Sequence, residues 1–358
     1  MLIYFIVLFF VLILSKNVKE ISIVSDLNKN VRITNINFVI CIILIFSFFS
    51  GFRYMVGSDW WAYYAQDHQR FSFALSKSKF EPGWNIIGFI STSIWNRYGV
   101  AMLIAALITN VLFIFPCYKI SYNFTISILM FFYLVWAGTF NGVRQYLATA
   151  ILFAGHRFIL DKKLLYWGLI VIVAMLFHTT AIIMFPLYFI ARLPLDKKQF
   201  ILLLLFSLFA YSSYDLIFQL IGYYKEKEMI LTGTKGTYLT SHINIFRILI
   251  YWVPVLFYYF FVYPAQKIKY NPETNFYGNL ILISAVLMTA AKDSAYLGRV
   301  GIYTQCYLLL AWPLMFKIVK AKNRILTQLS VFFLYSAFWF YDILSHEDLN
   351  NFQLWIGK

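Results

Sequence analysis

Arg53, Arg144, Arg247 and Arg299 stand where long apolar runs begin or end, and Asp59, Glu81 and His178 occupy similar boundary positions. Arginine at such a boundary suits an anionic lipid head, a diphosphate above all, because its planar fork binds phosphate oxygens in pairs. Asn141, Arg144 and Gln145 are spaced i, i+3, i+4, which predicts one shared helix face. The stretch Phe52-Arg53-Tyr54-Met55-Val56-Gly57-Ser58-Asp59-Trp60-Trp61-Ala62-Tyr63-Tyr64, followed later by Glu81-Pro82-Gly83-Trp84, sets two carboxylates among many rings. Rings such as Tyr63 and Tyr64 can pack on sugar C–H faces while carboxylates and amides bond hydroxyls. A carboxylate in a dry aromatic pocket can also serve as a general base. His178 lies between two short apolar runs, and a histidine at membrane depth is a functional candidate because it is costly to keep there. Asp59, Glu81 and His178 are therefore the candidate bases. Asp59 is preferred, since a carboxylate among rings suits both sugar binding and proton removal, and His178 has the alternative role of orienting a diphosphate.

The elements that position these residues are membrane helices. Hydrophobic residues make up 61% of the chain and charged ones 13%, against roughly 45–50% and ~25% in ordinary globular proteins. Aromatics at 21% fit lipid-facing surfaces and interfacial belts. The reading is a single all-α integral membrane domain over residues 1–358, with about twelve transmembrane helices (eleven to fourteen) between Leu2 and Leu344. Several runs fall short of the ~20 residues a full span needs, so short, broken or re-entrant helices are expected. Pro116, Pro186, Pro254 and Pro313 are the expected kink points. The segment from Glu81 to Trp95 reads as a half-helix or interfacial helix, with a further short span as the alternative.

With twelve spans and both termini outside, the inner loops collect 17 of the 30 basic residues but only 5 of the 15 acidic ones, as positive-inside sorting requires. The net charge of +15 is then topogenic, and nucleic acid is not an expected partner. The longest outer loops are at about 51–98 and 222–243. Lys225-Glu226-Lys227-Glu228 reads as a solvated stretch, and Lys292, Asp293 and Tyr296 as mutual partners. The out-to-in helices point their N-termini, with unpaired N–H groups and a positive dipole end, at the side carrying the arginines, which makes these ends ready anion sites. Cys41, Cys117 and Cys306 lie in or beside apolar runs and read as packing residues. The chain starts directly on an apolar run, so a cleaved signal peptide is not expected. No P-loop, H-E-x-x-H or cysteine cluster is present in the sequence, and neither a metal nor a cofactor is called for.

Gly57-Ser58-Asp59 with its aromatics and Tyr63, Glu81-Pro82-Gly83, Asn141-Gly142-Val143-Arg144-Gln145, Phe177-His178-Thr179-Thr180-Ala181, and Arg299 with Tyr303 together carry a resemblance. From about Phe52 to Tyr303 the chain resembles the EpsG family, which belongs with the Wzy-type polysaccharide and O-antigen polymerases. Trp60 stands where that family often has Tyr, which keeps stacking and removes a hydroxyl. The resemblance implies a GT-C-like, metal-independent and inverting glycosyltransferase in the bacterial cytoplasmic (inner) membrane, with its site on the outer, periplasmic face. It would pass a glycan chain from undecaprenyl diphosphate to the sugar of an incoming lipid-linked repeat, making O-antigen of lipopolysaccharide, capsule or exopolysaccharide. Undecaprenyl-diphosphate-linked oligosaccharides and the bilayer would be its partners, with a chain-length regulator protein expected beside them. On this reading Arg144 and Arg299 hold the donor diphosphate, and Arg53 or Arg247 the second one. The alternatives are a lipid-linked oligosaccharide flippase or transporter, or another membrane glycosyl- or acyltransferase. A flippase would show cations deep in a two-sided path, whereas here they gather at one boundary.

Overall fold

The apolar runs become helices whose backbone groups are satisfied internally, as burial in hydrocarbon demands. A computed structural model describes residues 1–18, 20–24, 30–60, 63, 81–94, 98–212, 243–292 and 298–355. Tyr64, the Lys225–Glu228 run, Asp293 and Tyr296 lie outside the described residues. Apart from two short antiparallel pairs, Glu20–Val24 with Asn30–Thr34 and Arg53–Tyr54 with Gln353–Leu354, the described elements are helical.

Two continuous helices, Gly99–Ile120 and Ile245–Ile268, have the length and apolar composition to cross a bilayer. At 1.5 Å per residue each exceeds the ~30 Å hydrocarbon thickness. Six further apolar helices are shorter: Leu2–Asn17, Ile36–Gly51, Phe124–Phe140, Leu164–Met175, Thr179–Ile190 and Leu308–Ile318. Fewer full-length spans are thus visible than the twelve expected. The breaks have physical causes. Pro186 separates a 3₁₀ turn, Thr179–Met184, from the short helix Leu187–Ile190. Pro254 lies one turn before a π segment, Tyr258–Val262, and a second π segment occupies Phe132–Trp136. Pro82–Ile94 is a helix of 13 residues, about 20 Å long and too short to span.

Helix Tyr98–Ile120 packs between Ile36–Gly51 and Val143–Gly155, while Pro272–Ala290 packs against Lys197–Ser212 and Ile245–Phe257. A continuous aromatic core ties the terminal segments to the middle: Tyr4 sits edge-on to Trp136, Trp339 and Phe352. Around the bundle, Leu165, Phe260 and Phe333 are more than 70% exposed, among many other large apolar side chains, and the chain itself does not cover them. Such a surface is suited to lipid.

Among the described residues the ion pairs sort to two ends. One end joins residues 53–60, 63, 81–84, 141–145, 177–180, 243–247 and 341–354. The opposite end holds the basic loops: Arg157 pairs with Glu273 (3.6 Å), Tyr122 donates to the same carboxylate (3.2 Å), and Lys317 lies over the Tyr122 ring (3.8 Å). There Asn275 and Asn279 tie the backbone at Ala191, Leu193 and Leu195.

Candidate functional site

The first half of the site is a knot of charges around Glu81. Pro82 opens helix Pro82–Ile94 with its φ already set, and Gly83 lets that helix come against the end of Leu164–Met175. The Gly83 N–H donates to Leu176 O at 2.7 Å, where a β-carbon would collide with the same carbonyl. This approach brings Glu81 to the Arg144 guanidinium, with which it forms an ion pair, and to His178, whose Nδ1 lies 3.3 Å from Glu81 Oε1. The Thr179 N–H and hydroxyl, at the start of the 3₁₀ turn, also point to Oε1 at 3.4 Å. The Tyr63 hydroxyl accepts from Arg144, and its ring lies 5.3 Å from that of Trp84. Burial pushes the Glu81 carboxyl up. His178 at 3.3 Å, a backbone hydrogen bond and the charge of Arg144 outweigh it, holding the carboxyl down at about 2.

Asp59 sits at a second helix start. Gly142, at φ +66°, turns the chain into helix Val143–Gly155, and its N–H donates to Asp59 Oδ2 at 2.8 Å. The positive helix ends expected to attract a ligand anion thus face the protein's own carboxylates at two places: Asp59 at Gly142 and Glu81 at Thr179. Asn141 precedes the helix in an extended conformation, so helical spacing does not relate it to Arg144. Asn141 and Gln145 face a cleft, whereas Arg144 turns to Glu81.

That cleft is the second half. Its volume is about 480 Å³, and its lining includes Asn141, Gln145, Arg247, Arg299, Asp342 and Asp348, with apolar walls from Leu134, Met288, Ile302 and Phe338. Gln145 donates to Arg299 O at 2.7 Å, fixing the turn that presents Arg299. The Arg299 guanidinium makes no ion pair or hydrogen bond among the described residues and is exposed. Arg247 pairs with Asp342, and beside it Asn244 bonds Tyr341, clasping helices Ile245–Phe257 and Ala321–Ser345 together. Knot and cleft share a wall: the Thr180 hydroxyl meets the buried Tyr303 hydroxyl at 2.8 Å, one turn beyond Arg299.

Arg53 is elsewhere. It is 3% exposed and donates to Ser50 O, to Val56 O (3.2 Å) and to Phe140 O (3.2 Å). These carbonyls engage its fork, so it brackets the first loop, which is a different task from the diphosphate binding expected of it. Conversely, Tyr341, Asp342, His346 and Asp348 line the cleft without having been singled out from the sequence. The signal was present: Asp342 is an acid inside the apolar run 325–344, followed closely by His346-Glu347-Asp348.

Comparison with protein families gives a match to the EpsG family model over residues 36–355. Comparisons with curated proteins and with solved structures return no match.

Proposed function

The chain belongs to the EpsG family, a Wzy-type polymerase family, and from that premise we propose that it polymerises a lipid-linked glycan on the outer face of the bacterial cytoplasmic membrane. The donor is a growing chain on undecaprenyl diphosphate, and the acceptor is one lipid-linked repeat. The observation that carries this reading is the convergence of cations, amides and carboxylates from several helix ends on one cleft with apolar walls. A diphosphate, a sugar and the start of a lipid tail each find matching chemistry there. The sorting of ion pairs to two ends, with the basic loops opposite the cleft, supports a twelve-span, GT-C-like topology with the cleft outside.

In the proposed step the acceptor hydroxyl oxygen attacks C1 of the donor's terminal sugar from the face opposite the diphosphate, which inverts that carbon. The C1–O bond to phosphate breaks, and undecaprenyl diphosphate leaves with the bonding pair. Arg299, with Arg247 beside it, binds the diphosphate and stabilises the growing charge. The hydroxyl proton goes to His178, with Glu81 orienting the ring and Arg144 holding Glu81. Asp59, with one oxygen committed to the Gly142 amide, serves better as a brace than as the base. Glu81, held at about 2, is too weak a base at neutral pH. The scheme uses neither nucleotide nor metal. Cleavage of the sugar–diphosphate bond supplies the driving force.

The test is a gel of lipid-linked surface glycan from cells lacking the gene, restored with wild type or with Arg299→Ala. A ladder with wild type that collapses to single-repeat products in the variant is expected. Loss of even the single repeat from the surface of the deletion strain would turn the reading towards export.

A further inference from the structure

We propose that the turn after helix Ala321–Ser345, together with Ser58 and Asn141, is a subsite for the hydroxyls of one sugar unit, with Asp348 as its anchoring acceptor. The proposal deepens the polymerase reading and rests on it only for the identity of the glycan.

The turn is held firmly. The Gly57 N–H donates to Asp348 O at 3.0 Å, and the Tyr4 hydroxyl donates to Leu349 O at 3.0 Å. Ser345, His346 and Asp348 thereby line the cleft, next to Ser58 and Asn141 from the chain segments packed on the turn. His346 Nδ1 lies 2.7 Å from Asp342 O. A carbonyl only accepts, so Nδ1 carries the proton and Nε2 of the neutral ring is an acceptor. Asp348 Oδ2 is sealed from solvent and meets no donor among the described residues. A buried carboxylate oxygen without a donor is costly, and an incoming donor removes that cost. The carboxylate charge is shared by both oxygens, and the other oxygen, which is not sealed, stands at the cleft lining where an incoming donor reaches it.

The charges choose the ligand. Asp348 repels phosphate here, Asp342 is already neutralised by its ion pair with Arg247, and Arg299 attracts phosphate elsewhere in the cleft. What suits one carboxylate, an acceptor nitrogen, a serine hydroxyl and an amide is a neutral molecule whose groups both donate and accept, and adjacent hydroxyls of a pyranose do so. Ser58 donates to Asn141 Oδ1 at 3.2 Å, which leaves the Asn141 N–H groups as donors and the serine oxygen as an acceptor for such a ring. The cleft volume of about 480 Å³ lies within the range of small-molecule sites.

The experiment uses the full chain in lipid nanodiscs, with lipid-linked repeats extracted from the host and with the oligosaccharide released from them by mild acid. The isosteric Asp348→Asn replaces an acceptor oxygen by a donor. It is expected to raise KM for the repeat about tenfold or more, the range for a lost hydrogen bond to a charged group, with kcat changed far less. It should also abolish saturation-transfer NMR signals of the released oligosaccharide. Glu347→Gln, an exposed neighbour outside the cleft, should match wild type. Wild-type KM and intact NMR signals in Asp348→Asn would overturn the subsite. If wild type itself builds no chain but its oligosaccharide signals vanish in Asp348→Asn, the subsite stands and the polymerase reading falls. Should Asp348→Asn fail to reach the membrane, Ser58→Ala, on the segment packed beside the turn, carries the test, with a KM rise supporting the subsite and an unchanged KM overturning it.

Discussion

The knot at Glu81 and the cleft at Arg299 share a wall yet use charge in opposite ways. In the knot Arg144, His178 and Thr179 gather around one half-buried carboxylate and Tyr63 bonds Arg144, although His178 Nδ1, 3.3 Å from Glu81 Oε1, has no well-formed hydrogen bond among the described residues. In the cleft one guanidinium and one carboxylate oxygen, on Arg299 and Asp348, meet no protein partner among the described residues. A closed set of charges fixes geometry, and an open set is completed by a ligand. On the proposed reading the knot positions the base, His178, and the cleft receives the diphosphate and the sugar.

Arg144→Ala should give the largest effect, because it leaves Glu81 partly buried without its cation. Polymer synthesis is expected to fall by about 10²–10³-fold, and the melting temperature of the purified protein should drop with it. Arg299→Ala should cost about 10²-fold in rate with the melting temperature unchanged, since its guanidinium makes no ion pair or hydrogen bond among the described residues. Equal loss of stability in the two variants would erase the distinction between knot and cleft.

A pH series sharpens it further. The Glu81 carboxyl is held below its usual value of 4.5 in the folded protein, so its contribution to stability is fully present above that value. The contribution fades as pH falls from about 4.5 towards about 2. The melting-temperature gap between wild type and Glu81→Gln should accordingly stay constant from pH 8 to about pH 5 and narrow below it; a gap that changes between pH 6 and 8 would mean that another group controls the knot. The smallest effect is expected at the clasp. Asp342→Asn removes the anion that competes for Arg247, and inhibition by added pyrophosphate should strengthen several-fold at most, read as a lower inhibition constant.

Much of this arrangement was legible before any coordinates. The apolar runs, the irregular segments at Pro186 and Pro254 and the gathering of Arg144, Glu81 and His178 at one end follow from apolar patterning, helix-end cues and charge sorting, whereas Pro116 and Pro313 lie inside α-helices that continue past them. Glu81-Pro82 reads directly as a helix start. The tasks of single residues were harder to read, because they depend on partners remote in the chain. Arg53 looks like a ligand arginine until Phe140 O arrives 87 residues later to take one of its donors. Asp59 looks like a base until the Gly142 amide is seen on its oxygen. The i, i+3, i+4 rule misled for Asn141 because it assumed a helix beginning two residues too early. Asp342, His346 and Asp348 carry no motif in the sequence and stand where the last apolar run ends, so only the packing of that end against residues 57–58 and 141–145 gives them a place in the cleft.

The π segment Phe132–Trp136 also acts as a phase adjuster. A π turn holds one more residue than an α turn, and each residue advances a helix by about 100°. The π segment runs straight into a 3₁₀ segment, Ala137–Phe140, and only Asn141 and Gly142 separate the end of that from the helix that carries Arg144 and Gln145. With so little slack in between, deleting one residue from 132–136 would leave a well-formed helix with its exit swung round by roughly that angle, and Arg144 would lose its aim at Glu81 although no residue of the knot had changed.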